Sequence, residues 1–541
     1  MTRLGLRRSI PHGFVALSLC MVALLSALTL IPVGVVADTP GGQSSSYIVP
    51  PRDTENCVLF SPFYSNETRT STVVLSHDAT SDTTVTTRLR RTGGGTLVER
   101  HLTMAGREMR ILSASDLGAP ASFTGSIELN VEGGLAGLTP TVAATRTPIP
   151  ASTLIPTPLP TVLLGTPTVT AIPSSTPIRT PTSVVTPVIF QPASCGITGV
   201  VMHDTSTGDR TTVEMFRQND PTEDWFIPAV HKDDNGFNTE VIIQNANRDS
   251  EFTATLEFRP DSGGALVERT INIPRDGAIA VDMTAAPQGA STLEIDGAGG
   301  ARLLATAFHT GPGGMAAGIN GISRGGGQIT LPLLYRRAGS ENAYSSMIRV
   351  MKIRPGGVTP KITLWDRDTG NQIGPIVARR ASGADVVLRE NEAFSWDLTQ
   401  LTQLADGKVY SARVDSDERG EIGVVAAHLN SRRATIGGYV GVSESSTDRI
   451  LSAPYVVKNQ DNLNAGIQIR EFGGTDASVQ IRFFNQAGNR LHTEAITVPS
   501  FDSRTVYLRA ISDADLPNGV YTAEITSSSR VAAVVNLIRY R

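Results

Sequence analysis

A fourfold internal repeat sets the architecture of this chain of 541 residues. Each repeat opens with a proline between apolar residues, and these prolines are separated by 166, 104 and 122 residues. The four openings are Ser61-Pro62-Phe63-Tyr64, Ile227-Pro228-Ala229-Val230, Leu331-Pro332-Leu333-Leu334 and Ala453-Pro454-Tyr455-Val456. A recurring unit of roughly 110 residues has the size of one small domain, so the sequence predicts four similar modules.

Within the repeats, apolar and polar residues alternate in short runs, such as residues 255–258, 361–365 and 479–483. A period of two is typical of half-buried antiparallel strands. No sustained helical periodicity interrupts them, although short helical turns are expected near 397–404 and 508–515. The predicted fold class is all-β, with four tandem antiparallel β-sandwich modules.

The first repeat is longer than the others because residues 139–192 form a tract with 12 prolines and 14 threonines but no Asp, Glu or Lys. Such a composition cannot build a core, and it favours a disordered or extended polyproline-II segment. Strand-like residues 125–130 and 196–203 flank the tract, so we expect a projecting insertion in a hairpin connection of module one. An O-glycosylated stalk and an unmodified spacer are both compatible with it.

The repeat comparison gives the following domain boundaries. A signal peptide or N-terminal anchor covers 1–37, module one covers 38–222 with its insertion at 139–192, and modules two, three and four cover 223–325, 326–446 and 447–541.

The N-terminus resembles a secretory signal, because Arg3, Arg7 and Arg8 precede an uncharged apolar stretch over 13–37. Small residues before the boundary predict cleavage between Ala37 and Asp38. The alternative is an uncleaved anchor, since 25 uncharged residues are long enough to span a bilayer. In either case the modules are exported, and any membrane contact is made by this segment alone.

Export makes a disulfide possible, and two cysteines, Cys57 and Cys195, remain after the signal. Cys57 lies at the entry to the first strand of module one and Cys195 just before its last long strand, with the insertion between them, so we predict that they pair. Two unpaired thiols are the alternative.

Composition excludes some function classes. A net charge of −4 gives no broad positive field, which makes nucleic acid an unlikely partner. No phosphate-cradling glycine loop or dinucleotide motif is present in a strand-to-helix context, and we expect neither cofactor nor structural metal.

Histidine offers little catalytic or metal-binding chemistry. His203, His309, His428 and then Asn536 fall at equivalent places in the four modules, which predicts a repeated position satisfied by a local hydrogen bond. The dipeptides His77-Asp78 and His203-Asp204 could approach each other in module one, but their spacing is not that of a metal site.

Three further patterns are each better explained by structure than by activity. Residues 321–325 match the nucleophile-elbow pattern around Ser323, yet a glycine-rich turn between modules is expected there. Acidic clusters at 366–370 and 415–420 are expected to be hairpin turns, with calcium at module junctions as the alternative. Trp365 ends an alternating run and is expected in the core, which leaves few exposed aromatics for carbohydrate binding.

In architecture, the mature chain resembles secreted bacterial surface proteins that combine immunoglobulin-like or fibronectin-like sandwiches with Thr/Pro-rich stalks. That resemblance implies a non-catalytic extracellular or cell-surface protein with a structural or adhesive role. Its partner would be an unknown surface protein or a glycan. A carbohydrate-binding accessory protein is the main alternative, and a sandwich hydrolase is a third.

Overall fold

The computed structural model describes residues 44–49, 58–132 and 196–539, apart from short gaps at 81, 207–209, 248, 276, 340–342, 417–419 and 431–434. Four sequence predictions fall outside these residues: the signal, its cleavage between Ala37 and Asp38, the insertion at 139–192, and the pairing of Cys57 with Cys195. The described part is nearly all β, and its strands pair in antiparallel sheets, which confirms the predicted fold class at that level.

The strands fall into four sets, which we call strand groups one to four. Group one contains β2 (Val58–Ser65), β3 (Arg69–His77), β4 (Thr83–Arg91), β5 (Thr96–Met104), β6 (Met109–Ser113), β7 (Phe123–Glu132), β8 (Ile197–Thr205), β9 (Arg210–Glu214) and β10 (Phe216–Arg217). Group two contains β11 (Asp224–Lys232), β12 (Asn238–Asn245), β13 (Phe252–Pro260), β14 (Val267–Ile273), β15 (Ala278–Ala280), β16 (Gly289–Gly297), β17 (Leu303–Thr310) and β18 (Ala316–Asn320).

Group three contains β19 (Gln328–Arg336), β20 (Tyr344–Lys352), β21 (Lys361–Asp366), β22 (Gln372–Val377), β23 (Ala393–Asp397), β24 (Lys408–Asp415), β25 (Ile422–Asn430), β26 (Thr435–Val440) and β27 (Val442–Ser443). Group four contains β1 (Ser44–Val49), β28 (Asp448–Lys458), β29 (Leu463–Glu471), β30 (Ala477–Phe484), β31 (Arg490–Val498), β32 (Ser503–Tyr507) and β33 (Gly519–Arg539). Short 3-10 turns lie at Met283–Ala285, Pro312–Gly314, Leu398–Gln400, Glu444–Ser446 and Leu508–Ala510, and the third and fifth confirm the two predicted helical turns.

The same strand order recurs in the groups. Group two has sheets ordered β11-β16-β13-β14 and β15-β12-β17-β18, and group three has β22-β21-β24-β19-β27 and β23-β20-β25-β26. In group one the two corresponding layers are joined by the β2–β3 pair. In group four they share β33, whose first half pairs with β28 and β30 and whose second half pairs with β29 and β1.

The repeated prolines mark irregularities in three of the opening strands. The registers of β11, β19 and β28 shift next to Pro228, Pro332 and Pro454, respectively, whereas Pro62 lies in unbroken register opposite Ser126. Proline has no N–H to donate to a ladder, so a β-bulge is a position where a strand tolerates it.

The hairpin expected around the insertion of module one is not formed. The strands β7 and β8, which flank 133–195, pair with β2 and β4 and with β3 and β9, respectively, but not with each other. The corresponding strands β24 and β25 lie in different sheets. Both strands of such a pair are apolar because each lies in a layer that faces the core. Two apolar strands that follow each other in sequence therefore suggest a hairpin, although these strands do not pair.

The first strand of the described chain completes the last group. β1 pairs antiparallel with the second half of β33, from Ser44 opposite Ile538 to Val49 opposite Ala533. Tyr47 and Val49 are buried in the core cluster of group four. In the part of the chain that the structure describes, no helix is long and apolar enough to cross a bilayer.

Candidate functional site

The most distinctive feature is the place where four edge strands meet. Each group contributes one of them: β9, β18, β26 and β1. They lie against one another in cyclic order, with β9 beside β18, β18 beside β26, β26 beside β1 and β1 beside β9. The four groups therefore close into a ring around a common axis.

Small residues and cross-strand hydrogen bonds bring these strands together. The Asn320 side-chain amide donates to the Glu214 backbone carbonyl at 2.8 Å, and the Ser45 and Thr212 hydroxyls lie 3.0 Å apart. At Gly438 an added Cβ would lie 2.8 Å from the Ile319 side chain and 2.9 Å from the Ala426 carbonyl oxygen, so a larger residue would be crowded at this position.

A cavity of about 420 Å³ opens at this axis and is lined by residues of all four edge strands. Glu214 is one of the groups that line this cavity. Burial raises the pKa of its carboxyl group to about 7, and the nearby Arg217 opposes that rise. The Arg217 guanidinium lies 3.5 Å from this carboxylate. The cavity thus holds a carboxyl group that changes charge near neutral pH.

Each interface between consecutive groups has a specific polar anchor. Between groups one and two, Arg69 donates to Glu240 at 2.8 Å, and its guanidinium lies 4.5 Å from the ring centres of Tyr64 and Phe308. Such a cation over an aromatic face adds stability when it is shielded from water.

Between groups two and three, Arg349 makes a bidentate contact with Asp261, with distances of 2.8 and 2.6 Å. Between groups three and four, the buried Arg470 guanidinium lies 4.2 Å from the Trp365 ring centre and also bonds to Ser411. Sequence reasoning missed these arginines, because the chain has 42 of them and no spacing distinguishes those at interfaces.

The fourth interface, between groups four and one, closes the ring. Ser452 donates to Asp78 at 2.9 Å, and the Met109 N–H donates to the Gln486 carbonyl at 3.0 Å. The Arg107 guanidinium lies 5.1 Å from the Phe484 ring centre. Group four therefore packs on group one as well as on group three.

Each of the three repeated histidines makes the predicted local hydrogen bond through Nδ1, whereas Nε2 of His203 and of His428 is buried without a hydrogen-bond partner among the described residues. His203, His309 and His428 place Nδ1 at 2.8, 2.9 and 2.8 Å from the hydroxyls of Ser71, Thr239 and Ser346. Each hydroxyl also accepts a backbone N–H, from Tyr64, His231 and Tyr335, respectively. A hydroxyl that already accepts one bond is well placed to donate its own proton to Nδ1.

A hydroxyl beside an imidazole also resembles a nucleophile and its base. Here both partners are buried: Ser71 and His203 are each 0% exposed, and Ser346 and His428 are each 2% exposed. Thr239 and His309 are 5% and 6% exposed, so all three pairs lie in the packed interior.

The equivalence predicted for Asn536 is wrong by one residue. Leu537 pairs with Ala465 and faces the core of group four, in the place that His428 and Ser346 take in group three. Asn536 points the other way, accepting from Ser46 at 2.9 Å and donating to the Tyr335 hydroxyl at 2.7 Å. A shift of one residue along a strand moves a side chain to the opposite face.

The two His-Asp dipeptides do not meet. On the paired strands β3 and β8, His203 lies opposite Ser71, whereas His77 lies opposite Ile197. Six residues along a strand correspond to about 20 Å. Among the described residues, no group of three or more His, Cys, Asp or Glu side chains could hold a metal ion.

The remaining sequence candidates have structural roles. The segment 321–325 connects β18 to β19, and Ile322 exchanges backbone hydrogen bonds with Phe226, so a strand rather than a helix follows Ser323. Asp366 accepts the N–H groups of Asp368 and Thr369 in the turn between β21 and β22, as a hairpin turn requires.

The second acidic cluster begins at the end of β24 with Asp415, which pairs with Arg413 at 2.9 Å, and 417–419 lie outside the described residues. The predicted burial of Trp365 is confirmed at 6% exposure. The other two tryptophans, Trp225 and Trp396, are also buried.

The segment Ser44–Val49 is the element that sequence reasoning missed at this site. Its signal was faint: six residues with one aromatic and two aliphatic side chains, placed before the first repeat landmark. The repeats did contain a clue, since groups one to three each have an edge strand directly after the histidine strand, namely β9, β18 and β26. In group four the equivalent edge position, beside the second half of β33, is filled by β1.

No protein-family model matches this sequence, and no curated protein does. Among solved structures, the chain is similar to Thermotoga maritima 1070, with 16% identity, a TM-score of 0.18, and coverage of 23% of this chain and 97% of that one. It is also similar to a tetra-tandem repeat in the extending region of a large adhesion protein, with 10% identity, a TM-score of 0.11, and coverage of 92% and 99%. A third structure, of infectious bursal disease virus Gx strain, has 8% identity, a TM-score of 0.11, and coverage of 56% and 72%. At such TM-scores these likenesses carry no argument about function.

Proposed function

We propose that this chain is a non-catalytic structural or adhesive protein of the cell exterior, in which each strand group is one β-sandwich module. The observation that supports this most is the recurring strand order of four groups packed into a closed ring. The interface arginines join neighbouring groups, and each buried hydroxyl–imidazole pair joins two strands within one group. Such a scaffold suits the presentation of surfaces and loops.

The proposed location rests on the sequence of the first 37 residues, with its basic start and apolar stretch. The proposed arm is the Thr/Pro tract at 139–192, between β7 and β8 of group one. Because these two strands belong to one group, both ends of the arm return to the same module.

Fractionation of the producing cells, followed by intact-mass analysis with and without reduction, tests this proposal. We expect the protein in the culture fluid or surface fraction, starting at Asp38, with a Cys57–Cys195 bridge that takes up a pair of hydrogens on reduction. We also expect the recovered protein to bind intact cells or isolated surface material. A membrane-bound product that keeps Met1 and has free thiols would contradict both the cleavage and the disulfide. A protein that is neither exported nor bound to surface material would contradict the adhesive role.

Carbohydrate binding is a second candidate, favoured by two exposed aromatic side chains. Phe501 is 38% exposed and Tyr507 is 43% exposed. Phe501 adopts a φ of 56°, a region that costs a non-glycine residue about 1–2 kcal/mol, and its ring stacks beside Trp365 with 6.4 Å between centroids. Arg367 donates to the Tyr507 hydroxyl at 3.0 Å, which places a cation beside the second ring. An exposed aromatic held at a backbone cost is typical of a contact residue.

A glycan array with the full chain tests the second candidate. If this surface binds sugar, the Phe501→Ala/Tyr507→Ala variant should lose about tenfold or more in affinity, because each stacked ring contributes roughly 1 kcal/mol. The matched control is Leu491→Ala, which removes a side chain of similar exposure on β31. Binding that both variants retain equally would exclude this surface, and a blank array would exclude the glycans tested.

A further inference from the structure

We propose that Ser44–Val49 is an exchangeable donor strand, and that the edge of β33 that receives it is an interaction surface for the same strand of a second copy of this chain. This inference concerns assembly, and it holds or fails independently of where the protein is located and of what it adheres to.

The connectivity of β1 differs from that of its counterparts. β9, β18 and β26 each follow the neighbouring strand, β8, β17 and β25, after a connection of four or five residues. β1 instead reaches β33 from far away in sequence, with Ser46 and its partner Asn536 490 residues apart. Only residues 50–57 join β1 to β2, so β1 can leave its place without unfolding any other strand.

The receiving edge fits this particular strand. Ala533, Val535 and Leu537 of β33 are each at most 1% exposed in the closed ring. Without β1 they would form part of an apolar strand edge with unpaired N–H and C=O groups, which readily takes up another strand. Main-chain pairing supplies affinity in such strand addition, and pockets for alternate side chains supply specificity.

Tyr47 provides the specificity. Its hydroxyl donates to the Tyr455 carbonyl at 2.6 Å and accepts the Tyr455 N–H at 3.3 Å. Tyr455 lies in the bulge after Pro454, where its backbone is out of register with β33, so the phenol satisfies two groups that the ladder leaves unpaired. In group three, Tyr439 makes the same pair of bonds with Leu333, in the bulge after Pro332.

These features favour a second copy as the partner. An exchanged strand would make the same contacts with its acceptor: Tyr47 in the group four core, Ser46 on Asn536, Ser45 on Thr212 and Ile48 against group three. Exchange between identical chains therefore keeps every contact. The fraction of exchanged strands depends on the protein concentration relative to the effective concentration of the strand that is tethered in its own chain. A chain that donates to one copy and accepts from another would extend head to tail.

The first experiment uses the full chain and a fluorescent synthetic peptide of residues 43–50. After incubation at a temperature where hydrogen exchange shows the β1 amides opening, we expect slow uptake of the peptide, seen as a rise in anisotropy. The matched control is the same peptide carrying Tyr47→Ala, which should bind at least about tenfold more weakly because it loses a buried ring and two hydrogen bonds. No uptake although the β1 amides open, or equal uptake of both peptides, would overturn the donor-strand assignment.

The second experiment tests the partner. The full chain is incubated at high concentration under the same opening conditions and examined by size exclusion with light scattering. We expect species of two or more copies, suppressed by excess wild-type peptide but not by the Tyr47→Ala peptide. Peptide uptake without any such species would overturn the second copy as partner, and species insensitive to the peptide would show that the copies associate elsewhere.

Discussion

Tyr47→Ala is expected to lower the free energy of unfolding of group four by about 3–5 kcal/mol, the range for truncating a buried aromatic side chain. Tyr47 is 2% exposed and packs in the core of group four, although it lies near the opposite end of the chain from the rest of that core. The substitution removes the ring and leaves the Tyr455 N–H and C=O without their partner. Chemical denaturation of the full chain, with hydrogen exchange of the β33 amides, measures the loss.

Two variants separate the parts of this effect. Tyr47→Phe keeps the ring and removes only the hydroxyl, so it should cost about 1–3 kcal/mol, the usual penalty for leaving buried polar groups unsatisfied. Tyr507→Ala removes an exposed tyrosine of the same group together with its hydrogen bond from Arg367, and should cost no more than about 1 kcal/mol. If Tyr47→Ala is as stable as Tyr507→Ala, then the packing of β1 does not stabilise group four.

The alternation of apolar and polar residues predicted the strands well, because the burial of one face of a strand is enough to produce that alternation. Alternation over 479–483 matches β30, in which Val479, Ile481 and Phe483 are buried and Gln480 is exposed. The hydroxyl–imidazole pairs were likewise predictable as a position, since a polar residue recurring among apolar ones needs a local partner. These inferences depend on neighbours in the same strand or the next.

Pairing across long separations was beyond the same reasoning. The residues of β1 carry no mark of the strand that they join, because an antiparallel ladder uses backbone groups common to all residues. The error at Asn536 has a related cause: the apolar run 531–537 is buried on both faces, with Val534 packing on group three, so alternation does not reveal its register. Ring closure and register are set by the packing of whole groups, which the sequence of one repeat does not contain.

The buried histidines predict a loss of stability in mild acid. Burial lowers the pKa of His309 and of His428 to about 3, and it holds the pKa of His203 well below its ordinary value. In the unfolded chain these imidazoles take up a proton near pH 6.5. Between pH 6.5 and about 3 the unfolded state therefore binds more protons than the folded state, so stability falls as the pH falls.

Two carboxyl groups act in the opposite direction. Burial raises the pKa of Glu214 and of Glu294 to about 7, so over pH 4.5–7 the folded state holds protons that the unfolded state releases. These groups add stability as the pH falls and offset part of the histidine effect. A single histidine variant isolates one imidazole, because the carboxyl contributions cancel in the comparison with the wild type.

His428→Leu places in group three the residue that group four has at the equivalent position, Leu537. On going from pH 7 to pH 5, the wild type should lose about 2 kcal/mol more than this variant, the cost of withholding one proton from an imidazole. Denaturation of both proteins at the two pH values measures the difference. His101→Leu, at a side chain that is 58% exposed, is the control for replacing a histidine by leucine outside the core. Equal pH dependence in the wild type and His428→Leu would mean that water or a local opening reaches His428, because a sealed imidazole between Tyr335 and Tyr439 has no way to accept a proton without unfolding its group.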